Sequence, residues 1–301
     1  MKKPTSIIFL LFKSIMILGW LFTSSACKSI RNQPVDNATG KPVHIKVSTF
    51  NIRYNANADV ESGNGWDIRK KPVADLIKRH GFEIVGTQEG DKNQLADLQQ
   101  LMPEFAITSY PYGGKGDLHN CAILYKKGRF ELLDQGVFWL SETPNEPSIG
   151  WDATDRRICN WAKFKEKKSG KEFFYFNVHF YWRLEIAKRE SGPLMAKMMK
   201  EIAGESPVIC VGDFNSEAHT PQIKAIKSYL KDAFEATEQP RKGIVNTNLG
   251  GGNFLGPATN RIDYIFISKH IKVKDYEVFS DRYNTDRYPS DHLPVASNIM
   301  F

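Results

Sequence analysis

Residues 207–217 read "PVICVGDFNSE". Val208 to Val211 form an apolar run with no polar position to turn toward water, the pattern of a strand buried on both faces. The run breaks at Gly212 and then delivers Asp213 and Asn215, a carboxylate and an amide two residues apart, at the strand's carboxyl end. In α/β sheets that edge is where ligands gather. The plain alternative is that the pair caps the next helix, a role for which Ser216 and Thr220 are equally placed. What decides between them is whether other strands bring polar groups to the same edge.

Working outward, strands and helices interleave. "HIKVSTFNIRY" (44–54) alternates as a strand, and "EIVGTQEG" (83–90) is a short strand ending on Glu89. Between them, "WDIRKKPVADLIKRHG" (66–81) has helical spacing, with Val73, Leu76 and Ile77 on one face and Gly81 as a stop. "NQLADLQQLM" (93–102) is a second helix, and 121–140 and 157–180 read as strands, the latter turning at "KKSGK". Ser191-Gly192-Pro193 cuts a helical pattern over 183–203, which predicts a helix from about 193 after a separate surface segment. A helix near 219–230, the strand "RIDYIFIS" (261–268) and closing strands "KVKDYEVFS" and "PVASNIMF" complete the chain. With 41% hydrophobic residues in 301, a large core is available. The expected fold class is α/β: one domain, 43–301, made of a two-sheet β-sandwich flanked by helices.

The first 26 residues stand outside that domain. A Lys2–Lys3 head, a long apolar run and small residues ending at Ser24, Ser25, Ala26 and Cys27 form an export signal. The segment resembles a bacterial lipoprotein signal, in which the cysteine is acylated and becomes the new amino terminus. An uncleaved anchor helix is the competing reading. Lipid at Cys27 would tether the chain to a membrane of the cell envelope, in the periplasm or at the outer membrane, through a flexible tether at 27–42. The net charge of +7 loses Lys2, Lys3 and Lys13 with the signal and falls to +4, too modest for a protein that coats nucleic acid. Cys121, Cys159 and Cys210 each sit in an apolar run, fit no zinc spacing and read as packing residues.

The polar residues that end the other strands form a series. Asn51 follows "STF", Glu89 follows "GTQ", His179 follows "FNV", Asp263 lies in "RIDYIF", and Asp291-His292 in "PSDHLPV". In order, "TFNIR", "QE", "NVH", "GDFN", "RIDYIF" and "SDHLPV" resemble the motifs of the endonuclease/exonuclease/phosphatase superfamily, whose fold is the four-layer one of pancreatic deoxyribonuclease. The resemblance spans 49–296, nearly the whole mature chain. It implies hydrolysis of a phosphodiester or phosphomonoester with Mg²⁺, or Mn²⁺ in its place. Glu89 is then the principal metal ligand, with Asn51 beside it and Asp291 opposite; hard oxygen donors suit such an ion. His292, held by Asp263, is the catalytic imidazole, either taking a proton from water or stabilising the phosphorane, and Asp213 is the other contender for activating the water. Asn215 and His179 would bond phosphoryl oxygens.

Two positions depart from that pattern. Where many relatives carry a glutamate that orients the histidine matching His179, this chain has His119 and Asn120, with Asp117 nearby, so the partner of His179 is open. Where many bacterial members follow that histidine with an aspartate-histidine pair, this chain has Tyr181 and Trp182. Trp182 at the rim would stack on a leaving group, or else pack under the next helix. Arg157 and Arg189 fall where relatives often show an arginine and are candidate phosphate contacts. The expected activity is that of an exported, monomeric phosphoesterase on a small or oligomeric substrate. The alternatives are a secreted nuclease on DNA or RNA and a catalytically silent binding lipoprotein of the same fold.

Overall fold

Strand length and burial decide the architecture of this computed structural model, which describes residues 42–113, 119–284 and 286–301. The expected signal and all but residue 42 of the tether, together with Asp117, lie outside the described residues. In chain order the elements are β1 (His44–Asn51), α1 (Asn57–Glu61), α2 (Trp66–Arg79), β2 (Ile84–Gln88), α3 (Lys92–Leu101), β3 (Phe105–Thr108), β4 (Ala122–Lys126) and β5 (Phe130–Trp139). There follow β6 (Ile158–Glu166), β7 (Glu172–His179), α4 (Glu185–Ala203), β8 (Val208–Asp213), α5 (Pro221–Tyr229), β9 (Lys231–Asp232) and α6 (Ala233–Ala236). The chain closes with β10 (Asp263–Ile267), β11 (Lys272–Val273), β12 (Glu277–Val278) and β13 (Val295–Met300).

Two mixed sheets result. One runs β11-β13-β1-β2-β4-β3, with β12 also on β13; the other runs β5-β6-β7-β8-β10-β9. Each has one parallel pair near its centre, β1 with β2 and β7 with β8. Parallel neighbours end at the same edge, so four carboxyl ends meet at one end of the sandwich.

Burial gives four layers. Val47, Ile84, Ile123, Tyr175, Ile209, Val211, Ile265 and Val295 pack between the sheets. Phe50, Val73, Ile77, Val85 and Leu98 join the first sheet to α2 and α3, while Phe176, Met195, Met199, Cys210, Ile223 and Phe266 join the second to α4 and α5. Strand β8 is buried at every position: Ile209 and Val211 face the other sheet, Val208 and Cys210 the helices. Each such aliphatic or aromatic side chain contributes about 1.5–3 kcal/mol by leaving water. Cys121, Cys159 and Cys210 are buried and free, as packing residues.

One expectation fails. Ser191-Gly192-Pro193 does not break the helix; α4 runs through it from Glu185 to Ala203. A Cβ at Gly192 would stand 2.4 Å from the Gln222 carbonyl oxygen, so glycine is there to let α4 and α5 touch. Ser191 Oγ donates to the Ala187 carbonyl at 2.6 Å, and the Asp152 carboxylate accepts the N–H groups of Ile186 and Ala187 at the helix start. Tertiary contacts thus outweigh the local cost of Pro193, which forfeits one helical bond.

Candidate active site

Gly212 makes the end of β8 feasible. Its φ is +151°, and a Cβ would lie 2.0 Å from the Val178 carbonyl oxygen on the neighbouring strand. Past it, three non-glycine residues that follow strands adopt left-handed backbone: Arg53 (φ 58°), Glu89 (φ 68°) and Asn215 (φ 46°). Such conformations are costly and collect at functional sites. The helix-cap alternative for Asp213 and Asn215 is excluded, because α5 starts at Pro221 behind Thr220 and takes no side-chain cap from either.

The strand ends converge on Asp213. Asn51 Nδ2 donates to Glu89 Oε1 and to Asp213 Oδ2, both at 3.0 Å, tying the two sheets together at the site. Asp213 Oδ1 accepts the Asn215 N–H at 2.9 Å, and Oδ2 lies 3.4 Å from His179 Nε2 and 3.7 Å from His292 Nε2. His292 Nδ1 pairs with Asp263 Oδ2 at 2.9 Å. Asp291 Oδ2 accepts the Gly252 N–H at 2.8 Å and stands 3.6 Å from Arg53 Nε. Asn215 Nδ2 donates to the Phe180 carbonyl at 3.0 Å.

These groups line a cleft of about 610 Å³ together with Arg53, Tyr54, Tyr112, His119, Asp155, Arg157 and Trp182. Trp182 is 57% exposed at the rim and so does not pack under the helix. Arg157 also lines the cleft, its guanidinium 5.5 Å from the Tyr112 ring centre. Arg189 is not brought to the cleft: on the exposed side of α4 it pairs with Glu190 at 2.8 Å. Asn51 is fully buried, donates to Glu89 and Asp213 and accepts the Arg53 N–H at 3.0 Å.

Electrostatics sets the two histidines apart. Burial alone would lower the His292 imidazole, but the carboxylates of Asp263 and Asp213 outweigh it and hold it well above its usual range. His179 is driven well below its usual range by burial and then by the charge of Arg157. Burial, with the neighbouring Asp263 charge, pushes Asp213 up to about 7 although His292 opposes it. Asp291 is raised by burial and the Glu89 charge against the pull of His292, whereas Glu89 is lowered because Asn51, His292 and Arg53 overcome its desolvation.

The donor set fits a divalent cation. Glu89 and Asp291 offer hard carboxylate oxygens whose partners among the described residues are N–H groups, the Ser290 hydroxyl and Arg53, and the Glu89 charge raises the cost of charging Asp291. Asp213, Asp263 and His292 form a second candidate cluster, with one ligand atom from each lying within 4.8 Å of the others. In that cluster the histidine nitrogen facing Asp263 is already spent on a hydrogen bond.

Residues 48–292 match the Endonuclease/Exonuclease/phosphatase family. The chain belongs to it. An endonuclease/exonuclease/phosphatase family protein from Bacteroides thetaiotaomicron is similar at 35% identity and a TM-score of 0.82, over 87% of this chain and 97% of that one. A mannosyl-6-phosphatase of the same organism is similar at 35% identity and a TM-score of 0.81, over 85% and 100%. Uncharacterized protein L388 of Acanthamoeba polyphaga mimivirus is 27% identical over 267 residues, 84% of this chain and 98% of that protein. The family's members are usually hydrolases acting on phosphoester bonds.

Several contributors escaped the sequence reading. Asn177 of "NVH" is buried between the sheets, donating to the Thr87 and Ala122 carbonyls and accepting from Gln88 at 2.6 Å, so it clamps the strands beneath the cleft. Arg69, fully buried in α2, donates to the carbonyls of Ile52, Asn64 and Pro289 at 2.7–3.0 Å, fixing the loops that carry Arg53 and Asp291. Tyr112 Oη lies 2.7 Å from His179 Nδ1 and supplies the partner that the sequence left open.

Proposed function

We propose that this chain is a Mg²⁺-dependent phosphomonoesterase, with Mn²⁺ as the alternative ion, acting on sugar phosphates in the cell envelope. The observation that carries this is the cleft itself: about 610 Å³, with Asn215, His179, Arg157 and His292 around Asp213 and aromatic walls at Tyr54, Tyr112 and Trp182. That volume suits a small ligand rather than a polymer groove. The similarity to a mannosyl-6-phosphatase supports a sugar leaving group.

The residues divide the work. An imidazolium has no lone pair with which to take a proton, so His292, held charged by Asp263, neutralises charge developing on the phosphoryl oxygens and donates to the departing oxygen. Asp213, near 7, is the base for the attacking water, since proton transfer is most effective when the base titrates near working pH. Asn215 and His179 donate to phosphoryl oxygens, and Trp182 stacks on the sugar. Glu89 and Asp291 would hold the ion, which when bound polarises a phosphoryl oxygen and offsets its charge.

Phosphate release from hexose 6-phosphates and inositol phosphates, and strand cleavage of plasmid DNA and single-stranded RNA read on gels, each with Mg²⁺ and an Asp213→Ala blank, test the reading. Turnover of sugar phosphates well above the nucleic acids is expected. Faster cleavage of DNA or RNA would make the protein a nuclease, and no turnover above the blank would favour a silent binding protein. Export and acylation at Cys27 belong to the same proposal, supported by the leader "FTSSAC". Labelled palmitate should enter the wild-type chain and not Cys27→Ser; equal labelling would refute the anchor.

A further inference from the structure

The geometry points to Tyr112 as a positioning residue that, with Arg157, fixes His179 in the tautomer carrying its proton on Nε2, so that this histidine is a permanent hydrogen-bond donor to the phosphoryl group. This deepens the phosphoesterase reading and rests on it.

The deciding atom is His179 Nδ1. Two groups face that nitrogen: Tyr112 Oη at 2.7 Å and Arg157 Nη1 at 3.3 Å. A guanidinium carries donors only, so Nδ1 must present its lone pair to it. With the lone pair on Nδ1, the tyrosine hydroxyl can only donate, and the single proton of the neutral ring sits on Nε2. That nitrogen lies 3.4 Å from Asp213 Oδ2, on the cleft side.

The rest of the chain of donors agrees. Cys121 Sγ lies 3.7 Å from both Tyr112 Oη and the Ile158 carbonyl oxygen, and a thiol that donates to either leaves the hydroxyl hydrogen free for His179. Burial pushes both the Cys121 thiol and the Tyr112 phenol up, so each keeps its proton. Tyr112 is itself fixed: its N–H donates to the His119 carbonyl at 3.0 Å, and its carbonyl accepts from Trp139 Nε1 at 2.9 Å. A carboxylate in its place would accept from Nδ1 instead and call for a doubly protonated ring. The tyrosine–arginine pair therefore assigns the two histidines of the cleft different duties, His292 as the charge and His179 as the neutral donor.

The test uses the full chain labelled with ¹⁵N-histidine, and Tyr112→Phe, which removes one oxygen and keeps the ring. In the wild type, His179 should show a protonated Nε2 and an unprotonated, hydrogen-bonded Nδ1. In Tyr112→Phe the Nδ1 resonance should move as that bond is lost, and kcat on the best phosphoester of the panel should fall about tenfold with KM within about twofold, the usual scale for a residue that orients a functional histidine. A proton on Nδ1 in the wild type overturns the proposal, as does a variant with both resonance and kcat unchanged. The tautomer is read without turnover, so a chain inactive on every substrate would refute the phosphoesterase reading while leaving this measurement decisive.

Discussion

The two ends of the central strands carry the same kinds of charge to opposite effect. At the amino end of β2, Glu83 bonds Arg129 and accepts the Lys46 N–H at 2.9 Å, and Arg129 also reaches Glu166 at 3.4 Å. Those side chains keep partial contact with water, 17% exposed for Glu83 and 29% for Arg129. At the carboxyl end, Asp213, Asp263, Asp291 and His292 are each under 10% exposed. There, Asp263 Oδ1 is buried with no hydrogen-bond partner among the described residues. One end pairs its carboxylates near solvent, where ion pairs are worth little. The other gathers carboxylates that the fold does not fully neutralise, and that imbalance is what a cation and a reacting phosphate can use.

Removing the charge at the carboxyl end should have the largest effect. His292→Ala is expected to lower kcat by about 10²–10⁴-fold, the scale of acid–base and charge-stabilising groups. Phosphate release measured at saturating substrate would decide it, and near-normal turnover would sink the assignment. Glu89→Ala should act differently, raising the Mg²⁺ needed for half-maximal rate by about 10–100-fold. A Mg²⁺ titration of activity with an unmoved midpoint would remove Glu89 from the metal site.

Much of this arrangement was legible because its signals are local. An apolar run ending in "GDFN" marks a core strand aimed outward, and the six ordered motifs name the family. What stayed hidden depends on contacts far along the chain. Tyr112 lies in "SYPYGG", a loop without periodicity, and meets His179 67 residues away. Arg69 reads as one more cation in "IRKKP", yet it is buried and holds carbonyls up to 220 residues distant. Gly192 and Pro193 read as a break for the same reason, because the partner that requires the glycine is on another helix.

A smaller effect is expected from pH. Asp213 has a folded-state pKa of about 7, above its unfolded value of about 3.9. Between those values the metal-free native state binds more protons than the unfolded one, so stability falls as pH rises through that window and the loss is complete above 7. Asp213→Asn in EDTA should therefore melt higher than wild type at pH 8, by about 2–4 °C for each 1 kcal/mol recovered, with the difference closing below pH 4. A variant no more stable at pH 8 would contradict the burial of an under-compensated charge. It would also make the site an exception to the exchange of stability for function.

The smallest effect is expected at the amino end, and it tests the contrast from the other side. Glu83→Ala removes the Arg129 pair and leaves the Lys46 N–H without its carboxylate acceptor. The cost should be about 1 kcal/mol, one partly exposed ion pair plus one hydrogen bond, read as a lower urea midpoint with an unchanged slope. Because the reacting groups stand at the opposite edge of the sheets, kcat and the Mg²⁺ midpoint should match wild type. If turnover fell along with stability, the two ends would be coupled through β1 and β2. The separation of a structural end from a chemical one would then be a property of charge placement alone and not of how the sandwich responds to it.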